Sequence, residues 1–416
     1  MQSPISTESR RTGRRVALQD GEVHEEMHAT TATGCVRRIA AAALAALLLL
    51  CAPYLPAARA QETMPVVGDV RADAKSAHLR AIGDVMAHQK QLNRALQKDG
   101  SYNFDAQFTY VKDALAAADY TIANLELTIP GEGPFSGYPA FRAPEAILDA
   151  LRDCGIDLFT MANNHILDSG YSGLCSTIDA VDRYGFDHVG VYRTAGETPQ
   201  FTVADINGIR FGFLAYTEHV NGNDLYLPSD QRFCVNRLDS ADFQSDVQAL
   251  RDMGAEVVIC MPHWGVEYQT TPASACKAYA DQMIEAGVDI ILGSHPHVVQ
   301  PIELRRVERD GEERDVLIAW SMGNFISNMY KAYADCGIIV DFTVTRDEEG
   351  AIHISDVGYV PVYVNKTDYS FYVVCSGDFA DAPPEGMTSS NYNSMKNSIG
   401  SVARLVSNGD VAVLQN

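Results

Sequence analysis

The feature that most narrows what this chain can fold into is a phrase used three times. A helix-type run ends at Gly, an acidic residue follows within two positions, a short apolar stretch comes next, and a polar cluster closes the phrase. The first reads Cys154-Gly155-Ile156-Asp157 leading to Asn163-Asn164-His165. The second reads Met253-Gly254-Ala255-Glu256 leading to Pro262-His263-Trp264-Gly265, and the third Ala286-Gly287-Val288-Asp289 leading to Ser294-His295-Pro296-His297. Gly past the end of a helix adopts the left-handed conformation that turns the chain back toward a sheet. Asn164, His263 and His295 lie nine, nine and eight positions after their glycines. All three clusters are therefore expected at strand carboxyl ends, where open α/β sheets hold their ligands. Two earlier strand candidates end alike, in Gly83-Asp84 and in Asn124-Leu125-Glu126.

Around these phrases, strand-type and helix-type runs alternate. Strands are expected at Arg80–Val85, Thr121–Leu127, Leu158–Ala162, Val189–Tyr192, Val257–Met261 and Ile290–Leu292. Helices are expected at Phe104–Ala118, Pro144–Asp153, Tyr171–Tyr184, Ala241–Met253 and Pro272–Ala286, with the two prolines in first turns. Two hairpins interrupt the alternation. Phe201–Ile206 and Ile209–Thr217 flank the turn Asn207-Gly208, and Ile302–Val307 and Val316–Trp320 flank a loop with Asp310-Gly311. Alternation predicts a layered α/β core, and the hairpins make its sheets mixed.

The N-terminus reads as targeting rather than fold. Arg37-Arg38 precede the apolar run Ile39–Cys51, Pro53 and Pro56 interrupt it, and Ala58-Arg59-Ala60 fits a cleavage site. Residues 1–60 are expected to be a secretory signal of an exported, envelope-associated or extracellular protein. Residues 39–58 are also long enough for a membrane anchor, and Met27 is an alternative start to Met1. Gln61–Ala77 reads as a linker, 78–365 as the main domain and 366–416 as a C-terminal extension. The net charge of −22 argues against nucleic acid as a partner. It leaves an anionic substrate open, because a bound metal inverts the local field. Seven cysteines follow Ala60 without a C-x-x-C or zinc-knuckle spacing. Export permits disulfides, and Cys260, inside an apolar run, reads as core.

Five strand ends thus offer Asp84, Glu126, Asn164, His263 and the pair His295 and His297. Imidazole suits zinc, iron and manganese, while carboxylate and amide oxygens suit hard divalent ions. A two-metal site needs a ligand that bridges both ions, and Glu126 is placed for it. His165, beside a ligand, is the candidate to protonate a leaving group; its alternative role is to hold the loop after Asn164 through Asp168. His188, His219 and His353 read as surface or packing.

Gly83-Asp84-Val85-Met86, Asn124-Leu125-Glu126, Ala162-Asn163-Asn164-His165 with Asp168 and Gly170, His263-Trp264-Gly265-Val266-Glu267-Tyr268, Gly293-Ser294-His295-Pro296-His297-Val298 and Ser321-Met322-Gly323-Asn324-Phe325 resemble the CapA family. That family is named for capsule and poly-γ-glutamate biosynthesis and belongs to the calcineurin-like metallophosphoesterase superfamily. The resemblance runs from about Arg80 to Ile326. It implies a four-layer α/β/β/α metallophosphatase-like sandwich and one or two divalent ions (Mn, Zn, Fe or Mg). It also implies that Asp84 matches the first-strand Asp, Glu126 the bridging carboxylate, Asn164 with His165 the Asn-His pair, His263 the lone downstream His, and His295 with His297 the terminal His-x-His.

The sequence departs from the superfamily at Asp-x-His, which stands here as Asp84-Val85-Met86. His88, two residues on, is the candidate replacement. Glu267 and Tyr268 are candidates to orient His263 or touch substrate, Arg142 to bind a substrate carboxylate or phosphate, and Asn324 to line the site. Trp264 reads as packing. The resemblance implies an exported metal-dependent hydrolase acting on a phosphoester or on an amide of an anionic polymer, alongside other envelope-biosynthesis components. The alternative is a non-catalytic component that binds or guides such a polymer. A metal-free nucleophilic hydrolase lacks its Gly-x-Ser-x-Gly elbow.

Overall fold

The computed structural model describes residues 75–197, 201–309, 311–367, 369–406 and 412–414. The expected signal, most of the expected linker, and Asp310 lie outside the described residues. The strands are β1 Lys75–Val85, β2 Tyr120–Leu125, β3 Leu158–Thr160, β4 Asp187–Val189, β5 Thr202–Ile206, β6 Ile209–Thr217, β7 Val257–His263, β8 Ile290–Leu292, β9 Ile302–Arg309, β10 Glu312–Ala319, β11 Asn324–Ile326, β12 Cys336–Arg346, β13 Ile352–Lys366, β14 Phe371–Cys375 and β15 Ala412–Val413. The helices that cover them are α1 Gln89–Ala95, α2 Ala146–Asp153, α3 Gly170–Tyr184, α4 Phe243–Asp252, α5 Ser274–Ala286 and α6 Ser389–Val406.

Two mixed sheets form. The first runs β14-β13-β12-β1-β2-β3-β4, with β11 beside β1 and β15 beside β13. The second runs β5-β6-β7-β8-β10-β9. β1 to β4 are mutually parallel, as are β6, β7, β8 and β10.

Alternation along the second sheet shows why four layers result, since successive side chains point to opposite faces. Phe211 and Phe213 of β6 and Val257, Ile259 and Met261 of β7 share a core with Leu79 and Ala81 of β1. Val258 and Cys260 of β7 and Ile291 of β8 instead pack under Val247 and Leu250 of α4 and Ala280 and Met283 of α5. Ile147 and Leu151 of α2 and Leu174 and Ile178 of α3 cover the first sheet. The order is therefore α/β/β/α, with Tyr120 stacked on Phe213 at 5.5 Å between the sheets.

The repeated phrase has a physical basis. Gly155, Gly254 and Gly287 have φ of 77, 88 and 109°, the left-handed turn that suits glycine. The acid that follows each caps the adjacent strand. Asp157 accepts from the Thr121 N–H at 2.7 Å, Glu256 from Arg210 at 2.9 Å, and Asp289 from Val258 at 2.9 Å. Each phrase thus fixes where one parallel strand starts beside its neighbour. Asn207-Gly208 forms the expected turn, both residues at positive φ.

Several boundaries differ from expectation. β1 starts at Lys75, inside the expected linker, because Lys75–His78 pair with Thr343–Arg346 of β12. The expected C-terminal extension continues the first sheet through β14, which pairs with β13. Its α6 buries Met395, Val402 and Val406. Phe104–Ala118 is two short helices, Asp105–Phe108 and Lys112–Ala116. The third-phrase helix starts at Ser274 and α2 at Ala146, just past their prolines. β4 stops at Val189, before Gly190 at φ 93°. No helix among the described residues is long and apolar enough to cross a membrane.

Candidate metal centre

Parallel strands that start in register also end together. Asp84 lies at the end of β1, Glu126 just past β2, Asn164 past β3, His263 at the end of β7, and His295 and His297 past β8. All six side chains are buried. The carboxyl edges of the two sheets meet there: the His297 Nδ1 is 2.9 Å from the Asp84 Oδ2, and the His263 Nε2 is 3.8 Å from the Glu126 Oε1.

Gly83 makes the first of these placements possible. The Asp84 N–H donates to the Gly323 carbonyl at 3.0 Å. A Cβ on Gly83 would stand 1.9 Å from that same oxygen, so only glycine lets the backbone of β1 approach the turn before β11. The pairing register shifts at this point, as a bulge does when it re-aims a side chain.

The site is one connected cluster. His263 Nε2 lies 2.8 Å from Asn164 Oδ1 and 3.1 Å from His295 Nδ1. Its Nδ1 lies 2.9 Å from the Ser294 hydroxyl, a second contact that fixes the ring. The Asn124 amide donates to Asp84 Oδ1 at 2.8 Å and lies 3.3 Å from His263 Nδ1. Asn324 Oδ1 is 3.1 Å from His297 Nδ1. His295 and His297 have φ of 99 and 58°. Such conformations are costly for bulky residues and cluster at functional sites.

Glu126 is at the centre. It is fully buried, and neither of its carboxylate oxygens has a hydrogen-bond partner. Its Oε1 lies 3.8 Å from His263 Nε2, 3.8 Å from His297 Nε2 and 4.0 Å from His165 Nε2. Burial first, then the Asp84 carboxylate, pushes Glu126 well above the usual carboxylate range. Burial, then the His295 and His297 imidazoles, holds His263 well below the usual histidine range, and burial with His297 does the same for His295. An unpaired buried carboxylate beside the imidazoles of His263 and His297 is an arrangement that a divalent cation would satisfy. Donor atoms of Asp84, Glu126 and His263 all lie within 4.8 Å of one another. The residues fit a metal on this observation.

His165 stands at the edge of the cluster. Its Nδ1 is 2.7 Å from Asp168 Oδ2, which also accepts from the Phe141 N–H at 2.7 Å. Its Nε2 faces Glu126. Asn164, His165, Asp168 and Glu267 line a pocket of about 430 Å³ with Tyr138 and Asn221.

His88 caps the start of α1. Its buried Nε2 has no hydrogen-bond partner, and its ring meets Phe141 edge-on at 4.8 Å. Phe141 meets His165 at 4.6 Å in the same way. Burial, then the charges of His297 and His165, lowers His88 to about 3.

Tyr268 holds φ 65°, and its ring lies 6.2 Å from that of His297. Glu267 is exposed. Arg142 donates to the Pro134 carbonyl at 3.1 Å and to Ser169 Oγ at 3.0 Å. It thereby braces the loop above Asp168 and does not line the pocket. Trp264 is buried and stacked on Trp320 at 5.8 Å. His219 meets His295 edge-on at 5.0 Å, packing against the cluster. His188 and His353 pair with Asp182 and Asp347. The seven described cysteines are free, and Cys260 is buried core.

Asn124, Ser294 and Asn163 were not singled out by sequence reasoning. Asn163 donates to the Leu125 carbonyl at 2.8 Å and so ties the loop after β3 to β2. Asn124 had a usable signal: it lies two residues before Glu126, hence on the same face of one strand.

The family described as "Bacterial capsule synthesis protein PGA_cap" matches residues 78–329. The chain belongs to this family. Among curated relatives, this PGA_cap chain is 27% identical over 292 residues to "Capsule biosynthesis protein CapA" of Bacillus anthracis, covering 68% of this chain and 66% of that one. It is 23% identical over 288 residues to "PGA biosynthesis protein CapA" of Bacillus subtilis, covering 66% and 70%. It is 29% identical over 201 residues to "Probable polyglutamine synthesis accessory protein Rv0574c" of Mycobacterium tuberculosis, covering 46% and 53%. The matches thus span about two thirds or less of two of these relatives. Among solved structures, the Haemophilus influenzae NAD nucleotidase matches at 12% identity and a TM-score of 0.42, covering 82% of this chain and 58% of that one. A putative 5′-nucleotidase from Staphylococcus aureus matches at 12% and 0.44, covering 78% and 58%.

Proposed function

We propose that this PGA_cap protein is an exported, divalent-metal-dependent hydrolase or transferase of the cell envelope. It would act on a phosphoester or on an amide of an anionic, poly-γ-glutamate-like polymer. The observation that carries the reading is Glu126: a fully buried carboxylate with both oxygens unpartnered, 3.8 Å from two separate imidazole nitrogens. Structural carboxylates are paired or hydrogen-bonded when buried. One left open among histidines is built to receive a cation.

In this reading Asp84, Glu126, Asn164, His263, His295 and His297 would hold the divalent ions, with Glu126 the carboxylate central to them. Divalent ions held there supply Lewis acidity toward a phosphoryl or carbonyl oxygen. Asn124 and Ser294 keep Asp84 and His263 oriented. His165 carries a proton on Nε2 for the leaving group, and Asp168 on Nδ1 fixes the ring and offsets its charge. Phe141 covers His165 and His88 and keeps water from their ring faces. The link to capsule-type polymers rests on the family and on what its named relatives are called. Export rests on the N-terminal sequence. The names Mn, Zn, Fe and Mg all suit this donor set.

Met86 favours a second reading. It is fully buried and stands where the superfamily places a histidine, so one imidazole is missing and a binding role without turnover follows naturally. Elemental analysis of purified protein, followed by turnover of aryl phosphates and γ-glutamyl oligomers with and without EDTA, separates the two. Chelation-sensitive release of product supports the enzyme. Stoichiometric metal with no turnover on either substrate class supports the binder.

A further inference from the structure

On the His297 side of the cluster, away from the pocket that holds His165, two side chains have no role in holding a metal. Tyr268 follows the β7 cluster and is tied to the His-Pro-His turn, its N–H donating to the Pro296 carbonyl at 2.8 Å. It is held at φ 65°, a left-handed conformation that bulky residues rarely adopt. Its hydroxyl lies 3.9 Å from the Met329 thioether and also faces the carboxylate of the neighbouring Glu267. Lys331 projects from the loop after β11, its Nζ 5.7 Å from the centre of the Tyr268 ring.

With 54 acidic residues against 32 Lys and Arg, many of the arginines find carboxylates. Arg251 and Arg309 share Asp289, Arg305 pairs with Glu303, and Arg346 pairs with Glu256. Lys331 is exposed and has no carboxylate within 4.0 Å among the described residues. Behind it, Lys366 is half-buried, donates to the Met329 carbonyl and lies 5.1 Å from the Tyr330 ring. Asp335, at the end of the same loop, is the acidic group that faces Lys366. Lys331 and Tyr330 of this loop, Lys366 at the end of β13 and Tyr268 after β7 thus place two ammonium groups and two aromatic rings near a ligand-type histidine, on a strongly acidic protein.

We propose that Tyr268 and Lys331 form a subsite for an anionic carboxylate group of the substrate, one position removed from the group acted on beside His297. The Lys331 ammonium and the Tyr268 hydroxyl donate to the carboxylate. Lys366 fixes the loop and adds positive field. The strained backbone of Tyr268 is explained by the need to turn its hydroxyl out beside His297. This deepens the polymer reading above and rests on it for the identity of the carboxylate chain, but not on turnover. Unlike His165, neither residue moves a proton in the reaction; both set which chain is held.

The test is direct binding of a fluorescein-labelled γ-linked oligoglutamate to the full chain, followed by anisotropy at low and high salt. Lys331→Glu reverses one exposed charge and leaves the core untouched. It is expected to weaken binding about five- to tenfold at low salt, with the difference fading as salt rises. Tyr268→Phe, which keeps the ring beneath Lys331, is expected to weaken binding about threefold. Both variants are expected to keep wild-type metal content. A salt-dependent loss in both, whether or not any substrate is turned over, establishes the subsite even if the hydrolase reading fails. Equal affinity of wild type and Lys331→Glu overturns the proposal. So does binding of inorganic polyphosphate in place of oligoglutamate, or loss of binding that only follows loss of metal.

Discussion

Replacing Glu126 by Gln separates its electrostatic cost from its use. With metal chelated, the folded protein holds Glu126 fully buried beside Asp84 and without a hydrogen-bond partner. Its folded-state pKa lies well above the ordinary 4.5, so between those values the folded state binds a proton that the unfolded state has lost. A raised carboxyl pKa therefore removes stability as pH climbs above 4.5, and restores it as pH falls back. Each pH unit is worth about 1.4 kcal/mol, which sets a ceiling of about 3.4 kcal/mol for the loss at pH 7. Gln has the same shape, is neutral at every pH, and can donate its amide to Asp84. In EDTA at pH 7, Glu126→Gln should be the more stable protein by up to about 3 kcal/mol, and the gap should close toward pH 4.5. Adding manganese should reverse the order. Metal at a thousand times its Kd stabilises the wild type by about 4.1 kcal/mol, more than that gap, and a neutral amide would hold the cation less well. Urea unfolding at pH 5 and pH 7, in EDTA and in manganese, measures all four differences. Superimposable curves for the two proteins in EDTA at both pH values would refute the argument, as would equal stabilisation of both by manganese.

His165→Ala should retain metal by elemental analysis while losing about 10²–10⁴-fold in turnover; parallel loss of metal and fold would reduce His165 to a brace for its loop. His263→Ala removes a ring whose Nε2 touches Asn164 and His295 and whose Nδ1 touches Ser294, and should lower metal occupancy before anything else. Gly83→Ala drives a Cβ to 1.9 Å from the Gly323 carbonyl, and should destabilise by about 4 kcal/mol or more, seen as a collapsed yield or melting point; a wild-type melting curve would show that β1 can move aside. N-terminal sequencing of protein from its host should start at Gln61, and recovery of unprocessed cytosolic chain would reject export.

The layered fold was legible because its signals are local and repeated. A left-handed Gly and a following acid recur at Gly155, Gly254 and Gly287, and each acid accepts from an N–H near the start of the neighbouring strand. Nothing local marks the outer pairing of the first sheet. Lys75–Ala77 read as polar linker because their strand character comes from β12, more than 260 residues away. β14 read as extension for the same reason, its partner β13 supplying the ladder. Break points such as Thr109–Val111 reflect tertiary packing that overrides a helical pattern.

The site was legible where a ligand-type residue ends a strand, and illegible where a residue serves another residue. Asp84, Glu126, Asn164, His263, His295 and His297 each end a phrase. Ser294 reaches His263 and Asn163 reaches the Leu125 carbonyl across 31 and 38 positions, and no periodicity reports such contacts. Met86 and His88 show the limit most clearly. From extended backbone, position 86 would share a face with Asp84, and His88 would need a bend to approach. The chain supplies that bend by leaving β1 at Val85 and starting α1 at Gln89. Gly137 packs so closely there that a Cβ would stand 2.3 Å from the Gln89 nitrogen. His88 is thereby brought beside His297 and His165 with an unpartnered buried nitrogen, while Met86 is sealed in the core. A turn, a helix start and a glycine contact together carry His88 to the neighbourhood of the cluster. The imidazole that touches Asp84 is that of His297, at 2.9 Å, while His88 meets the Phe141 ring that also meets His165.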